Sequence, residues 1–305
     1  MALDQSPASE AMLECLPELK MFGTEMVTLF TAASVAHQNR PNDDEIRRWQ
    51  EPLDHYAAKL MQKNGFQVAT KVNYDSKMPV PLRILKTARD VGAGYIIIAN
   101  RGHSKLREML LGSTVTALLQ QSNLPVFLIK LRPDTAEGSD TARLRCTAPC
   151  HDALRHILYP TDFSETARYA FEMLSRLATG PTERITLYHV QAKGQVDLTN
   201  AAQLEEYNRI DHERLQSLSR ELREQAGVDV DIALSQGPAA QLIADKARSV
   251  SATMIVMGSQ GRGYISDLFL GGVTYQVLRN TPVPVLVIPG RNPDTYEHQE
   301  KAWMK

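Results

Sequence analysis

The residues best placed to do chemistry in this chain are loop glycines with a particular spacing. Gly258 and Gly261 are followed, after nine residues, by Gly271 and Gly272, and a helix is predicted near 273–280. Glycines permit positive φ and carry no Cβ, so backbone amides can turn towards an anion. A helix N-terminus after such a loop adds unpaired amides that favour phosphate. The pattern predicts phosphate binding, and a tight connection without a ligand is the alternative.

The same pattern occurs once more, 159 positions earlier, with one substitution. Ala99 stands where Gly258 does, and Gly102 is followed after nine residues by Gly112 and Ser113. A repeat period of this length indicates tandem domains rather than a solenoid of short repeats. If the first position needs positive φ or a close backbone approach, Ala99 is unfavourable there. The first copy is therefore expected to bind more weakly than the second.

Apolar segments on both sides of each loop indicate the fold that positions it. Tyr95–Ile98 and Met254–Met257 precede the loops, and Val126–Ile129 and Val285–Ile288 follow them. Short apolar strands that alternate with amphipathic helical segments predict a parallel sheet with helices on both faces. Open sheets of this type bind ligands beyond the carboxyl ends of their strands, where both loops are predicted to lie.

The order of elements repeats in the two halves, but the first strand does not. In the second half, His156–Tyr159 is a predicted strand, and Asp162 with Glu165 has the spacing of a capping box. Before Asp4, the matching position in the first half, only Met1-Ala-Leu remains. Either the first domain lacks most of a central strand, or the start assigned to the chain is too late.

Length and composition define the expected organisation. The 305 residues suffice for about two domains. A first domain with a truncated first strand is expected at 1–131, followed by a linker rich in Pro, Thr, Ala, Gly and Ser at 132–153. A second domain with the glycine loop is expected at 154–290, followed by a polar tail at 291–305.

Charge and hydropathy exclude several classes of protein. The net charge is −1 and the pI is about 6.7, which gives no electrostatic basis for general nucleic-acid binding. The apolar runs fall short of the roughly 20 residues that span a membrane. The N-terminus lacks the basic and apolar regions of a secretory signal. Three cysteines do not form a disulfide framework, so the expected location is the cytoplasm.

Cysteine and histidine residues near the linker are a weaker candidate site. Cys146, Cys150 and His151 lie close in sequence, with His156 nearby. Zinc prefers four such ligands, and the C-x3-C spacing is poor for it, so we expect unrelated cysteines in a loop and no metal site. Two further residues of reactive types are expected to pack in the interior: Cys15 and His189.

In combination, these segments resemble the universal stress protein family in its tandem two-domain form. The segments that carry the resemblance are Tyr159–Ser164, Thr186–Val190, Gly258-x-x-Gly261-x9-Gly271 and Val283–Ile288. The resemblance implies an α/β fold of two tandem five-stranded open parallel sheets, adenine-nucleotide alpha hydrolase-like and Rossmann-like, covering nearly the whole chain. It also implies that the two sheets pair through their last strands, which gives an intrachain pseudo-dimer, and that two chains can form a homodimer.

The same resemblance implies an adenine-nucleotide site in the second domain. Asp162 would contact the nucleoside, the backbone of Val190 the adenine, and the loop glycines the phosphates. The residues implied are Asp162, Val190, Gly258, Gly261, Gly271, Gly272 and Thr274. ATP-binding relatives usually carry Ser or Thr where Gly272 stands, so one phosphate contact is missing unless Thr274 supplies it. Weaker ATP binding, or a preference for AMP or ADP, is expected.

The matching residues of the first domain imply a second, weaker site. These residues are Asp4, Gly102, Gly112 and Ser113. Because Ala99 replaces a glycine and the first strand is short, the favoured interpretation is a degenerate domain that is kept for packing against its partner domain.

The function implied is that of a cytoplasmic sensor or regulatory module in a stress response. Its ligand would be ATP, AMP or ADP, accompanied by Mg²⁺. The alternative is a nucleotide-free dimerisation and interaction module of the same family. No G-x4-G-K-[ST] loop, no G-x-S-x-G elbow and no acid–base pair can be recognised, so slow ATP hydrolysis is the most that is expected of it as an enzyme.

Overall fold

A computed structural model describes most of the chain, and the chain divides into two compact units, Met1–His151 and Asp152–Lys305. The residues described are 1–15, 23–34, 41–100, 111–133, 144–147, 152–191, 201–261 and 270–290. Each unit contains its own set of alternating strands and helices.

The first unit alternates short strands with amphipathic helices. Its elements are β1 (Ala2–Leu3), α1 (Pro7–Glu14), β2 (Met26–Ala32), α2 (Asp43–Asn64), β3 (Gln67–Asn73), α3 (Val80–Asp90), β4 (Ile96–Ala99), α4 (Ser113–Gln121), β5 (Val126–Ile129), β6 (Leu131–Pro133) and β7 (Leu144–Cys146). α2 begins at a reciprocal capping box, in which the Glu45 amide donates to Asn42 and the Asn42 amide donates to Glu45, at 2.8 and 3.0 Å.

The parallel strands of the first unit fall into two groups. β1, β2 and β3 pair in that order, and β4 pairs with β5. β1 contacts β4 as well, but no ladder joins these two strands in the part of the chain that the structure describes. The physical reason is length: β1 has two residues, too few to pair with both of its neighbours.

A disulfide joins the start and the end of the first unit. Cys15, which follows α1, is bonded to Cys146 on β7, the strand that pairs antiparallel with β6. Cys15 is buried, as expected, but the expectation that Cys146 is an unrelated loop cysteine is wrong. Spacing could not reveal this bond, because 131 residues separate the two cysteines and only the fold brings them together.

The second unit contains a complete open sheet. Its elements are β8 (His156–Thr161), α5 (Glu165–Ala178), β9 (Arg184–Gln191), α6 (Ala201–Ala226), β10 (Asp229–Gln236), α7 (Ala239–Ser249), β11 (Met254–Gly258), α8 (Gly272–Asn280) and β12 (Val285–Ile288). The five strands are parallel in the order β10-β9-β8-β11-β12, which confirms the predicted α/β class. β8 lies at the point where the strand order reverses, and ligands of such sheets bind at that point.

The long helices are amphipathic rather than apolar. α6 spans 26 residues; Leu215 and Leu222 are buried, whereas Arg209 is exposed and pairs with Glu206 and Glu213 at 2.7 and 2.6 Å. Exposed pairs of this kind stabilise a helix only slightly. Across the described stretches, no helix is both long and apolar enough to span a bilayer.

The start of α5 differs from the predicted capping box. Ser164, not Asp162, is the N-cap, and its hydroxyl accepts the Ala167 amide at 3.2 Å. Asp162 lies two residues earlier and accepts the Ser164 amide through Oδ1 at 3.1 Å. Because the shorter serine side chain caps the helix, the Asp162 carboxylate remains in the turn between β8 and α5.

Candidate functional site

The glycine loop of the second unit lies at the carboxyl ends of adjacent strands. Gly258 is the last residue of β11, and β11 pairs with β8, which ends just before Asp162. A Cβ built on Gly258 would lie 2.7 Å from Thr166 Cγ2 and 3.2 Å from the Gln260 carbonyl oxygen. The first distance is shorter than real Cβ contacts, so the packing of α5 against β11 requires glycine here.

Gly261 and Asp162 are in direct contact. A Cβ on Gly261 would overlap Asp162 Oδ2, whereas Asp162 Oδ1 is held by the Ser164 amide. The carboxylate is therefore fixed between the β8–α5 turn and the glycine loop. Two residues that the sequence predicted for one site, 99 positions apart, are thus brought together.

The loop leads directly into the N-terminus of α8. Gly271 is the N-cap, and no side chain caps the helix there. The Gly271 amide donates to the Ser259 carbonyl at 2.8 Å, and the Ser259 amide donates to the Ile288 carbonyl at 2.8 Å, which fixes both ends of the loop. Amides in the first turn of a helix have no intrahelical acceptor, so this end of α8 can interact with an anion.

Three of the four glycines, Gly258, Gly261 and Gly271, permit close approach rather than positive φ. Gly258, Gly261, Gly271 and Gly272 do not belong to the residues with positive φ, so the part of the expectation that invoked positive φ is wrong. A Cβ on Gly271 would lie 3.3 Å from Gln260 Cα and from the Ser259 carbonyl oxygen, which is tight. A Cβ on Gly272 would meet nothing within 4 Å, so that position is sterically open.

Thr274 is turned towards the loop backbone. Its hydroxyl donates to the Gly258 carbonyl at 2.9 Å, and its side chain is buried. The hydroxyl proton is therefore already engaged, so Thr274 cannot donate it to a phosphate in this arrangement. Its evident role is to tie the first turn of α8 to the end of β11.

A buried polar network lies beside Val190 at the end of β9. His189 Nδ1 donates to the Thr161 carbonyl at 2.6 Å, and Nε2 lies 3.5 Å from Asp211 Oδ2. Gln191 Nε2 donates to the same carboxylate oxygen at 2.9 Å. His189 is thus packed, as expected, but it also links the ends of β8 and β9 to α6. Sequence reasoning missed Asp211 because it stands among the alternating charges of a solvated helix.

The same network reaches the turn that carries Asp162. Arg214 Nη1 lies 3.3 Å from Asp211 Oδ1, and its guanidinium carbon lies 5.3 Å from the centre of the Phe163 ring. Phe163 adopts a φ of 59°, which is unusual for a residue with a large side chain. Strained backbone of this kind is held in place by its surroundings, and it commonly lies at functional sites.

An open groove extends beyond the ends of β9 and β10. Its volume is about 560 Å³, and residues that line it include Gln191, Leu204, His212 and Ser235. Val190, the residue predicted to contact adenine, is partly exposed and directly precedes Gln191. Space for a planar ring is therefore available next to the predicted position.

The corresponding residues of the first unit are engaged differently. Asp4 Oδ1 accepts the Ser6 amide and the Ser9 hydroxyl, both at 3.1 Å, and also the Ser6 hydroxyl. Gly112 is the N-cap of α4, without a side-chain cap, and Ser113 is the first residue of that helix. Gly102 lies outside the described residues. Asp4 Oδ1 corresponds to Asp162 Oδ1, which accepts the Ser164 amide. Asp4 Oδ1 accepts two serine hydroxyl groups as well as an amide.

The side chain of Asn100, directly after β4, bonds to the segment that follows β5. Asn100 Oδ1 accepts the amide of Leu131, the second residue after β5, at 2.8 Å. Leu131 is buried and stands where Gly290 stands in the second unit, two positions after the last strand. A Cβ on Gly290 would lie 2.5 Å from Thr166 Oγ1. Sequence reasoning missed Gly290 and Thr166, although Gly290 directly extends the pattern of the last strand.

The described residues contain no group of three or more His, Cys, Asp or Glu side chains that could hold a metal ion. Cys146 is engaged in the disulfide, and Cys150 and His151 lie outside the described residues. His156 Nε2 lies 2.9 Å from the Thr186 hydroxyl oxygen and takes part in the strand packing of the second unit.

Fold and site together define a class of protein: an open parallel α/β sheet with a glycine loop at the carboxyl ends of its strands. Comparison with known families gives the same result in both units, because the universal stress protein family matches residues 1–130 and 153–289. The chain belongs to the universal stress protein family, in a tandem form.

Individual relatives agree with this assignment. Universal stress protein MJ0577 of Methanocaldococcus jannaschii is 29% identical over 157 residues, which cover 45% of this chain and 96% of that protein. Universal stress protein Rv2319c of Mycobacterium tuberculosis is 24% identical over 285 residues, covering 86% and 90% of the two chains. A universal stress protein structure from Archaeoglobus fulgidus has a TM-score of 0.60 at 22% identity and covers 96% of both chains, which supports the fold.

Proposed function

We propose that the second unit binds an adenine nucleotide and that the protein acts as a sensor or regulatory module in a stress response. The observation that carries the proposal is the contact between Gly261 and Asp162 beside the uncapped N-terminus of α8. Because Gly261 has no Cβ, the loop backbone approaches this carboxylate closely, so that one ligand at this edge of the sheet can contact both. Phosphate oxygens suit the helix amides, and ribose hydroxyls suit the carboxylate.

The nucleotide preferred by this site follows from Gly272 and Thr274. Because position 272 has no hydroxyl and the Thr274 hydroxyl is engaged with Gly258, the first turn of α8 offers only amides. We expect ATP to bind with Mg²⁺ but with little advantage over AMP or ADP. Since the sequence shows no recognisable acid–base pair, we expect any hydrolysis of ATP to be slow.

The alternative, a nucleotide-free interaction module, is favoured for the first unit. Asp4 Oδ1 accepts from both Ser6 and Ser9, and Asn100 Oδ1 accepts the Leu131 amide. Both side chains, which lie at the matching edge of the first unit, are thus bonded to donors within the protein. We therefore expect one strong nucleotide site per chain, in the second unit.

Isothermal titration with ATP, ADP and AMP tests this proposal. Gly261→Ala should weaken binding about tenfold or more, because the new methyl group overlaps Asp162 Oδ2 and displaces it. The matched control is Gly112→Ala, whose Cβ would meet its nearest atoms at an ordinary 3.8 Å. Equal losses in the two variants, or no binding to the wild-type chain, would rule out the site.

The internal pairing of the two sheets and a homodimer of two chains also remain proposals. The apolar strands β5 and β12 each follow a proline, and bare apolar edge strands would promote aggregation. Proteolysis within the linker at 132–153, followed by size-exclusion chromatography under oxidising and reducing conditions, should leave the halves associated. Two separate half-sized species would contradict the pairing.

Cytoplasmic location likewise remains a proposal. The cytoplasm was expected because the chain has few cysteines. The disulfide between Cys15 and Cys146 weakens this argument, since such bonds are uncommon in reducing compartments. Alkylation of the protein with a thiol reagent directly in lysed cells would show whether this pair is oxidised in its native compartment.

A further inference from the structure

Both neighbours of Asp162 in the chain contact the same side chain, the buried imidazole of His189. Thr161, which precedes Asp162, pairs with His189 in the β8–β9 ladder, and its carbonyl accepts His189 Nδ1 at 2.6 Å. Phe163, which follows Asp162, has its ring centre 4.7 Å from the centre of the imidazole. The Phe163 amide also donates to the Thr161 hydroxyl at 3.1 Å. His189 therefore holds the turn that carries Asp162 on both sides of that residue.

Asp211 of α6 is the residue on which these contacts converge. Its Oδ2 lies 3.5 Å from His189 Nε2 and accepts Gln191 Nε2 at 2.9 Å, and its Oδ1 lies 3.3 Å from Arg214 Nη1. Arg214 in turn lies against the Phe163 ring, with 5.3 Å between the guanidinium carbon and the ring centre. One buried carboxylate is thus connected to the turn by two routes, through His189 and through Arg214.

The first unit holds the matching strand end without an imidazole. Leu3 and Thr31 pair at the end of β1 as Thr161 and His189 do at the end of β8. The Thr31 hydroxyl donates to the Leu3 carbonyl at 2.9 Å. A hydroxyl is therefore sufficient to bond this carbonyl, and the histidine of the second unit must be explained by its other contacts.

The residue with positive φ after the aspartate is anchored in both units, but by different groups. Gln5 and Phe163 have φ values of 57° and 59°. Gln5 Nε2 donates to the Trp49 carbonyl of α2 at 3.0 Å. Counted back from the glycines that follow α2 and α6, Trp49 stands at the position of Asp211. The same place on the helix anchors the turn through a backbone group in the first unit and through a carboxylate in the second.

Stability alone does not account for the network of the second unit. Burial of a carboxylate is costly, and replacement of a buried ionic network by apolar residues is often neutral or stabilising. A fully bonded polar network does, however, fix one arrangement of the groups that it joins. Here it holds Thr161 and the strained Phe163, and the residue between them is Asp162. The orientation of the Asp162 carboxylate is thus what the network determines.

We propose that His189 and Asp211 are positioning residues, which orient the Asp162 carboxylate towards the hydroxyl groups of a ribose. This inference rests on the proposed nucleotide site and adds to it the residues that determine recognition of the sugar. Both side chains act through the turn at 161–163 rather than by contact with the nucleotide. Hydrogen bonds to a charged acceptor are stronger than those between neutral groups, and they depend on direction. The site should therefore distinguish a ribose from a sugar that lacks both hydroxyl groups.

The test compares ATP with 2′,3′-dideoxy-ATP, each with Mg²⁺, by isothermal titration of the full chain. The wild-type chain should bind ATP about tenfold more tightly than the dideoxy nucleotide, and Asp162→Asn should remove most of this preference. Asp211→Asn should weaken ATP binding to about the level of the dideoxy nucleotide, whose own affinity should change less than about twofold. A merely structural role of Asp211 would weaken the binding of both nucleotides equally.

Two further variants keep the test independent of the folding of Asp211→Asn. His189→Thr recreates the hydroxyl of Thr31, so the Thr161 carbonyl should remain bonded while the link to Asp211 is lost. This variant should lose the preference for ribose. Glu213→Gln, which alters an exposed carboxylate of the same helix, should retain it. Melting curves show which variants are folded, and His189→Thr decides the outcome if Asp211→Asn is not.

The outcomes separate this proposal from the one on which it rests. If the wild-type chain does not bind ATP, the nucleotide site is rejected, and the positioning role with it. If the wild-type chain binds both nucleotides equally, or if the folded variants retain the preference for ATP or weaken both nucleotides to the same extent, the positioning role alone is overturned.

Discussion

The two glycine loops of this chain are built from the same pattern but are packed by different residues. Ala8, Ala99 and Leu131 of the first unit correspond to Thr166, Gly258 and Gly290 of the second. In the second unit, Thr166 of α5 approaches both glycines so closely that neither tolerates a Cβ. In the first unit, the helix carries the smaller Ala8 at this position, and both glycines are replaced by residues that have a side chain, Ala99 and Leu131.

The residues at all three positions differ between the two units, and their packing is coupled. A threonine on the helix requires two glycines, and those glycines leave the strand ends open towards the loop. An alanine on the helix permits Ala99 and Leu131, both of which are buried. The substitution at Ala99 is therefore not simply a damaged glycine: it occurs together with a smaller residue on the packed helix.

The largest expected effect concerns the disulfide, which only the first unit has among the described residues. Cys146→Ser should lower the free energy of unfolding of the first unit by about 2–4 kcal/mol, because the bond closes a long loop in the unfolded chain. Urea denaturation followed by hydrogen exchange of peptides from each unit measures the effect. Cys150→Ser is the control, and equal destabilisation of the second unit would contradict the assignment of the bond to the first.

The next effect tests the coupling at the glycine loop. Gly258→Ala should destabilise the protein by about 1–3 kcal/mol, because its Cβ would lie too close to Thr166 Cγ2. The double variant with Thr166→Ala should recover most of this loss, since it recreates the pair found at Ala8 and Ala99. Urea denaturation of both single variants and the double variant gives the coupling free energy. Additive losses would show that the two positions are independent.

The sequence predicted the features that depend on local pattern. The order of elements, the parallel class and the short first strand before Asp4 follow from periodicity and repetition. The resemblance to the family implied that Gly261 and Asp162 belong to one site, and the structure places them in contact.

Features that depend on tertiary proximity could not be predicted in this way. The partner of Cys15 lies 131 residues away, and the orientation of the Thr274 hydroxyl depends on the carbonyl of Gly258. The predicted capping box is wrong because Ser164, rather than Asp162, is the N-cap of α5. The contacts of Thr166 with Gly258 and Gly290 join three separate segments, so no local pattern indicates them.

A smaller effect is expected from exchanging the two matching residues Gly272 and Ser113 between the loops. Gly272→Ser should tighten ATP binding up to about tenfold, because a hydroxyl in the first turn of α8 can donate to a phosphate and the position is sterically open. AMP binding should change less. Ser113→Gly, the reverse exchange in the first unit, should leave titration with ATP unchanged. An unchanged ATP affinity of Gly272→Ser would show that no terminal phosphate lies near this turn.

The smallest effect concerns His156, the first residue of β8. Burial, together with the nearby Arg184 and Arg155, lowers the pKa of His156, although Asp231 acts in the opposite direction. The folded protein then binds the proton less readily than the unfolded chain. The contribution of His156 to stability is therefore complete above its ordinary pKa and is lost as the pH falls through the lowered folded value.

His156→Gln should reduce this loss of stability on acidification, because glutamine can bond to the Thr186 hydroxyl without titrating. Urea denaturation between about pH 7.5 and about pH 5.5 brackets the ordinary histidine range and measures the slope. His212→Gln, at an exposed position of α6, is the control. Hydrogen exchange should locate the difference in β8 and β9 rather than in the first unit. If the slope is the same in wild type and His156→Gln, another group is responsible for the acid sensitivity of the second unit.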